Sequence, residues 1–166
     1  MSVNANIIKK EHQDILWRDD DVSLNTCAHE FKELHKKFIE KDQVHTVAIV
    51  MKDLWLNHSL FYYLATEPLI EIGLHGWEHK DYSKLSYEEC YEDLKKSLDY
   101  WKENTLRMVH RTKEIRNFFA PWNREGEEIK KACDSLGLIF CNTKRGEWNG
   151  YEVRSFHYWS ADNFKL

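Results

Sequence analysis

The chain has 166 residues, a formal charge of −4, 42% hydrophobic and 31% charged residues, and only two prolines and six glycines. That is the size of one domain, and it holds too many large apolar side chains for a disordered or fibrous chain. The mild acidity, with no long Lys/Arg block, excludes the electrostatic footprint of a nucleic-acid binder or of a basic membrane-surface protein.

In chain order, a strand is predicted near Ile15–Asp19. A helix over Thr26–Glu40 follows, with Phe31, Leu34 and Phe38 on one stripe and Lys and Glu opposite. Strands come next near Val44–Met51 and Leu69–His75. The longest helix runs over Tyr87–Val109, where Cys90, Leu94, Leu98, Trp101 and Thr105 recur at three- and four-residue steps behind a Ser86-x-x-Glu89 capping box. It reads as scaffold. A strand near Asn117–Pro121 leads into a helix over Arg124–Leu136 that Gly137 ends, and strands near Leu138–Asn142 and Tyr151–His157 complete the chain. Of the first four connections between strands, all but one are long enough for a helix. Short apolar runs alternating with longer amphipathic ones are the pattern of an α/β fold of parallel strands joined by crossover helices.

Met1–Glu11 has no apolar stretch like the core of a signal peptide, and no segment approaches the roughly 18 apolar residues of a membrane span, so the expectation is a cytoplasmic protein. Cys27, Cys90, Cys133 and Cys141 show no CxxC spacing and fall in segments that read as helix or buried strand, which predicts reduced, packed thiols.

Chemistry-bearing residues gather in three places, each at the carboxyl end of a predicted strand, where ligands bind in parallel α/β architectures. Asp19-Asp20-Asp21 either ends the strand and leads toward a helix cap, or sets three repelling carboxylates around a divalent cation, one as ligand and a neighbour as base. His75 and His79, with Gly76 allowing a bend after the strand, present two imidazoles to one ion if residues 75–79 form a single helical turn. His157, within Phe156-His157-Tyr158-Trp159, reads alone as a core histidine. Together they make a carboxylate, two imidazoles and a further histidine, a set that leaves coordination positions open for water and substrate, as hydrolytic metal sites require. Phe118 to Asn123, with Pro121 and Trp122, either stops a strand and packs as an aromatic lid or walls a sugar-binding groove.

In this order, these motifs resemble those of the polysaccharide deacetylase family, carbohydrate esterase family four. Arg18-Asp19-Asp20-Asp21-Val22 resembles the Arg-x-Asp-Asp variant of its first motif, which implies Asp20 as general base and Asp21 as metal ligand. If β-strand alternation persists through Asp21, Asp19 is the better base, because adjacent residues face opposite sides. His75 and His79 match the second motif as the remaining ligands, Phe118 to Asn123 the groove-lining third, and Phe156-His157 the last, with His157 as acid. The arginine that usually opens the third motif falls on Phe119, leaving Arg18 or Arg154 to substitute, and Glu147 is the candidate for the acid that usually tunes the histidine.

The resemblance implies an irregular, incomplete (β/α) barrel of about six to seven strands in a single domain over residues 1–166. It further implies one divalent ion, zinc by ligand type, and an N-acetylated amino sugar deacetylated to release acetate. Pro121, Trp122, Asn123 and Trp159 would contact the sugar. Two alternatives stand: a catalytically impaired carbohydrate-binding module on the same fold, and a metal-dependent hydrolase of a non-sugar amide or ester.

Overall fold

The computed structural model describes residues 15–141, 147–148 and 151–158. Strand β1 (Ile15–Val22) is followed by α1 (Ala28–Glu40), β2 (His45–Ile49), α2 (His58–Thr66), β3 (Ile70–Leu74), α3 (Tyr87–Val109), β4 (Asn117–Phe119), α4 (Glu127–Ser135), β5 (Ile139–Cys141), β6 (Glu147–Trp148) and β7 (Tyr151–Phe156). The sheet order is β5-β4-β3-β2-β1-β7-β6. All neighbours are parallel except the antiparallel pair β6 and β7. This is the incomplete α/β barrel expected from the sequence, with six parallel strands and one antiparallel edge. The first four crossovers each carry a helix, so the connection between β2 and β3 holds one too.

Strand alternation sorts the side chains into two layers. Val47, Ile49, Ile70, Ile72, Leu74 and Phe118 join Phe31, Phe61, Leu64, Leu94 and Trp101 of the helices in the main core. The opposite faces of the strands contribute Leu16, Ala48, Phe119, Cys141 and Val153 to a second, inner cluster. Gly73 belongs to that inner face: a Cβ there would stand 2.3 Å from the Phe119 ring, so glycine makes room for the phenyl.

Local signals set the helix ends. Ser86 and Glu89 form the reciprocal capping box that the sequence predicts for α3, with Glu89 N–H donating to Ser86 Oγ (3.2 Å) and Ser86 N–H to Glu89 Oε2 (2.8 Å). Helix α4 ends in a Schellman motif: Gly137 takes φ +69°, Leu138 N–H donates to Cys133 O (2.8 Å) and Gly137 N–H to Asp134 O (3.2 Å). It starts at Glu127 rather than at Arg124, because Pro121–Asn123 close a separate short turn. Helix α2 has Asn57 as N-cap, its side chain accepting from Leu60 N–H (3.3 Å). No helix among the described residues is long and apolar enough to cross a membrane. All four cysteines are free thiols. Cys90, Cys133 and Cys141 are buried, whereas Cys27, expected to be packed, is exposed just before α1.

Candidate functional site

The carboxyl ends of β1, β3, β4 and β7 meet around a cavity of 330 Å³ lined by Arg18, Asp20, Asp21, His75, His79, Trp122, Asn123, Ser155 and His157. A larger groove of 840 Å³ runs along α3, but none of these residues lines it. Convergence of titratable groups, not size, singles out the smaller cavity.

Each Asp of the triplet has a different place. Along β1, Arg18 and Asp20 face the inner side, and Asp19 faces the layer beneath α1. Asp19 is fully buried, accepts a hydrogen bond from Tyr158 N–H (2.9 Å), lies 3.4 Å from His45 Nε2 and lines no part of the cavity. Burial holds its pKa well above the usual carboxylate value. Strict alternation would send Asp21 to the same buried side. Instead Asp21 takes φ +61°, where the β1–β2 register shifts between Asp19 and Val22, and this bulge turns its carboxylate into the cavity beside Asp20. The condition that would have favoured Asp19 as base, a regular strand through Asp21, is not met.

Arg18 grips Asp20 with two parallel bonds, Nε to Oδ1 and Nη2 to Oδ2, both 2.6 Å. The guanidinium is itself buried, lies 5.1 Å from the Phe119 ring centroid, and donates from Nη1 and Nη2 to Asn123 Oδ1, each at 3.0 Å. One side chain thus joins the end of β1 to the loop after β4. Arg154 is exposed and pairs with Glu152, away from the site.

His75 Nδ1 lies 2.7 Å from the carbonyl oxygen of Phe119. A carbonyl only accepts, so Nδ1 carries the proton and the Nε2 lone pair is left toward Asp21. His79 arrives by a different route from the one expected. Residues 75–79 form no helical turn; Gly76, at φ +98°, starts an irregular loop. A Cβ at Gly76 would stand 2.0 Å from the Tyr82 hydroxyl, so the loop closes as it does only around glycine.

Asp21 Oδ1 lies 3.3 Å from His75 Nε2 and 3.1 Å from His79 Nε2, and one ligand atom from each of the three residues falls within 4.8 Å of the others. This oxygen is buried and makes no hydrogen bond. The His75 imidazole holds the Asp21 carboxyl below the ordinary range against the opposing effect of burial, and burial, followed by the nearby His75, lowers the pKa of His79. Two imidazole nitrogens and a carboxylate oxygen converging on one point are a donor set suited to a divalent transition ion. His157 stands at the rim, with Nδ1 3.5 Å from Asp21 Oδ2 and 3.4 Å from the backbone oxygen of Asp20.

Trp122 and Asn123 both take left-handed backbone conformations (φ +54° and +53°) after Pro121. Such a conformation costs a tryptophan on the order of 1–2 kcal/mol. It leaves the indole 57% exposed over the cavity, edge-on to the His79 ring at 4.3 Å, with the Arg124 guanidinium at 5.4 Å. Trp122 and Asn123 therefore both line the cavity, whereas Pro121 is buried and does not. Trp159 lies outside the described residues, as does the side chain of Glu147. Ser155, which also lines the cavity, was not among the expected residues; its only signal in the sequence is its place two residues before His157, at the end of β7.

A family model described as polysaccharide deacetylase matches residues 20–138. No curated protein matches the sequence. Among solved structures, a mutant of the Bacillus anthracis pseudoenzyme BA3943 of the CE4 family, with restored enzymatic activity, aligns with a TM-score of 0.66 at 14% identity, over 89% of this chain and 57% of that one. A family 4 carbohydrate esterase from Streptomyces lividans, in complex with acetate, aligns with a TM-score of 0.66 at 12% identity, over 90% of this chain and 81% of that one. The Bc1960 peptidoglycan N-acetylglucosamine deacetylase aligns with a TM-score of 0.63 at 14% identity, over 87% and 71%. The chain thus spans little more than half the length of BA3943.

Proposed function

Because the chain belongs to the polysaccharide deacetylase family, we propose that it is a metal-dependent hydrolase that removes the acetyl group from an N-acetylated amino sugar, with Asp21, His75 and His79 as metal ligands. The observation that carries this reading is the meeting of those three donors with the Arg18–Asp20 pair and His157 in one cavity. A divalent ion held there, zinc by its nitrogen and carboxylate donors, would acidify water and polarise the acyl oxygen.

The protein's own groups supply the rest. Asp20 accepts a proton from the water that attacks the acetyl carbonyl carbon, and the two parallel bonds from Arg18 fix the direction of that carboxylate. As the carbon–nitrogen bond breaks, His157 delivers a proton to the leaving amine, so that acetate and the free amino sugar are the products. The hydrogen bond from His75 Nδ1 to Phe119 O holds one imidazole in its ligating tautomer. Trp122 offers an exposed indole face to a pyranose ring.

An impaired binding module would be favoured if Asp20 lacked a cationic partner; the grip of Arg18 supports catalysis instead. The test is acetate release from N-acetylglucosamine oligosaccharides, with acetylated xylan and simple amide and ester substrates beside them. Release from the amino sugars is expected, falling about 10²- to 10⁴-fold in Asp20→Asn and His157→Ala at unchanged metal content. Release only from non-sugar substrates, or equal release by the variants, would contradict the reading.

A further inference from the structure

Helix α3 buries a stripe of Cys90, Leu94, Ser97, Trp101 and Thr105, and one member of that stripe is a carboxylate, Asp93, 9% exposed. Sinking an acid among apolar side chains is costly unless its oxygens are well supplied with donors. All three of its side-chain bonds come from the loop between β3 and α3. Trp77 N–H donates to Oδ2 (2.9 Å), the Tyr82 hydroxyl to the same oxygen (2.5 Å), and Lys80 Nζ to Oδ1 (3.0 Å). These donors flank His79 two residues before, one residue after and three residues after.

The other edge of the loop is tied to the segment after β2, where Met51 N–H donates to Gly76 O and Lys52 N–H to Trp77 O, both at 2.9 Å. Beyond Trp77 the loop has no such long-range backbone tie among the described residues, yet it must carry the His79 ring to Asp21. The Tyr82 hydroxyl that binds Asp93 also fills the space beside Gly76, so one carboxylate gathers both ends of the loop. An ionised carboxylate can only accept hydrogen bonds, which suits three donors at once. An asparagine would turn its own NH₂ toward one of them.

We infer that Asp93 is the positioning residue for His79: by gathering the Trp77, Lys80 and Tyr82 donors it sets the loop conformation in which His79 Nε2 reaches the same point as His75 and Asp21. Asp93 does not touch the ligand cluster itself. The inference rests on the metal-site reading and extends it to a helix with no ligand of its own. Metal sites tolerate little displacement of a ligand, and loss of a residue supporting one typically costs about 10- to 100-fold in affinity.

The test is Zn²⁺ affinity, measured by calorimetry with a competing chelator, for wild type, Asp93→Asn, His79→Ala and the double variant, with Tyr82→Phe as a milder variant that removes one of the three donors. Asp93→Asn should weaken binding about 10- to 100-fold, Tyr82→Phe by less, and the double variant should bind no more weakly than His79→Ala alone, because Asp93 acts through that imidazole. Wild-type affinity in Asp93→Asn, or losses that multiply in the double variant as a general loss of fold would produce, would overturn the inference. Amide hydrogen exchange on the metal-free proteins separates this from the site reading. If wild type binds no zinc, the metal-site reading fails, and faster exchange at residues 77–82 in Asp93→Asn, with the rest of the chain unchanged, would still support Asp93 as the organiser of the loop. Unchanged exchange there would overturn that too.

Discussion

Arg18 and Asp20 form the most tightly bound charged pair in the cavity, and both are buried. Breaking such a pair leaves a carboxylate without a counter-charge. Arg18→Met should therefore destabilise the fold by about 3–5 kcal/mol, read as a lower urea midpoint at unchanged slope. A midpoint within about 1 kcal/mol of wild type would show that Asp20 finds another partner. The sequence named Arg18 and Arg154 equally, since both lie close to the motifs; the inward face of β1 and the surface pairing of Arg154 with Glu152 decide between them. The three aspartates were similarly undecided in sequence. A bulge at Asp21 is a backbone event with no residue signature here, since the residue at φ +61° is an aspartate and not a glycine. Asp93 carried a readable signal, a carboxylate on the apolar stripe of a helix, three residues after Cys90 and one before Leu94.

At the scale of elements, helix α3 ends with the exposed His110 in the left-handed conformation (φ +57°), its N–H bonded to Leu106 O at 3.1 Å. Glycine takes that conformation without the Cβ penalty, so His110→Gly should stabilise the protein by up to about 1 kcal/mol, seen as a higher thermal midpoint. A lower midpoint would mean that the imidazole makes contacts worth more than the strain. The contrary substitution, Gly73→Ala, pushes a methyl group into the Phe119 ring and should destabilise by about 1–3 kcal/mol. α3 and the end of α4 were legible because a capping box and a Gly137 stop are local chemistry. α2 was not: over His58–Thr66 it buries Leu60, Phe61, Leu64 and Ala65 within a short, mostly apolar run, where a helix period and a strand look alike. Its start signal was the single N-cap Asn57. The i, i+4 spacing of His75 and His79 would bring the two rings together only if a helical turn formed, whereas the loop that holds His79 is shaped by long-range bonds to Asp93 and from residues 51 and 52.

For the whole molecule, the alternation of strands and helices was sufficient to read the parallel sheet, and the rule that ligands gather at its carboxyl edge placed the cavity. The short antiparallel strand β6 left no periodicity to detect. Folding also buries two histidines, His35 and His45, whose Nδ1 atoms lie 3.1 Å apart. Burial lowers both pKa values from 6.5 to about 3, helped at His35 by the nearby His45 and Lys113. The unfolded chain thus takes up these protons first as pH falls, so the stability the neutral rings provide is complete above about pH 6.5 and is lost progressively toward pH 3. Each ring contributes a slope of at most about 1.4 kcal/mol per pH unit. Unfolding free energies measured between pH 7 and 4 should decline more steeply for wild type than for His35→Phe. Parallel declines would contradict the neutral buried state of His35.

The central claim, that Asp21, His75 and His79 form one metal site, is tested most directly by the zinc content and affinity of the purified protein beside Asp21→Asn, His75→Ala and His79→Ala. The geometry predicts about one ion per chain, held with an affinity that each substitution lowers at least tenfold while the fold persists. A wild-type chain that binds no divalent ion, or variants that bind as tightly as wild type, would contradict it.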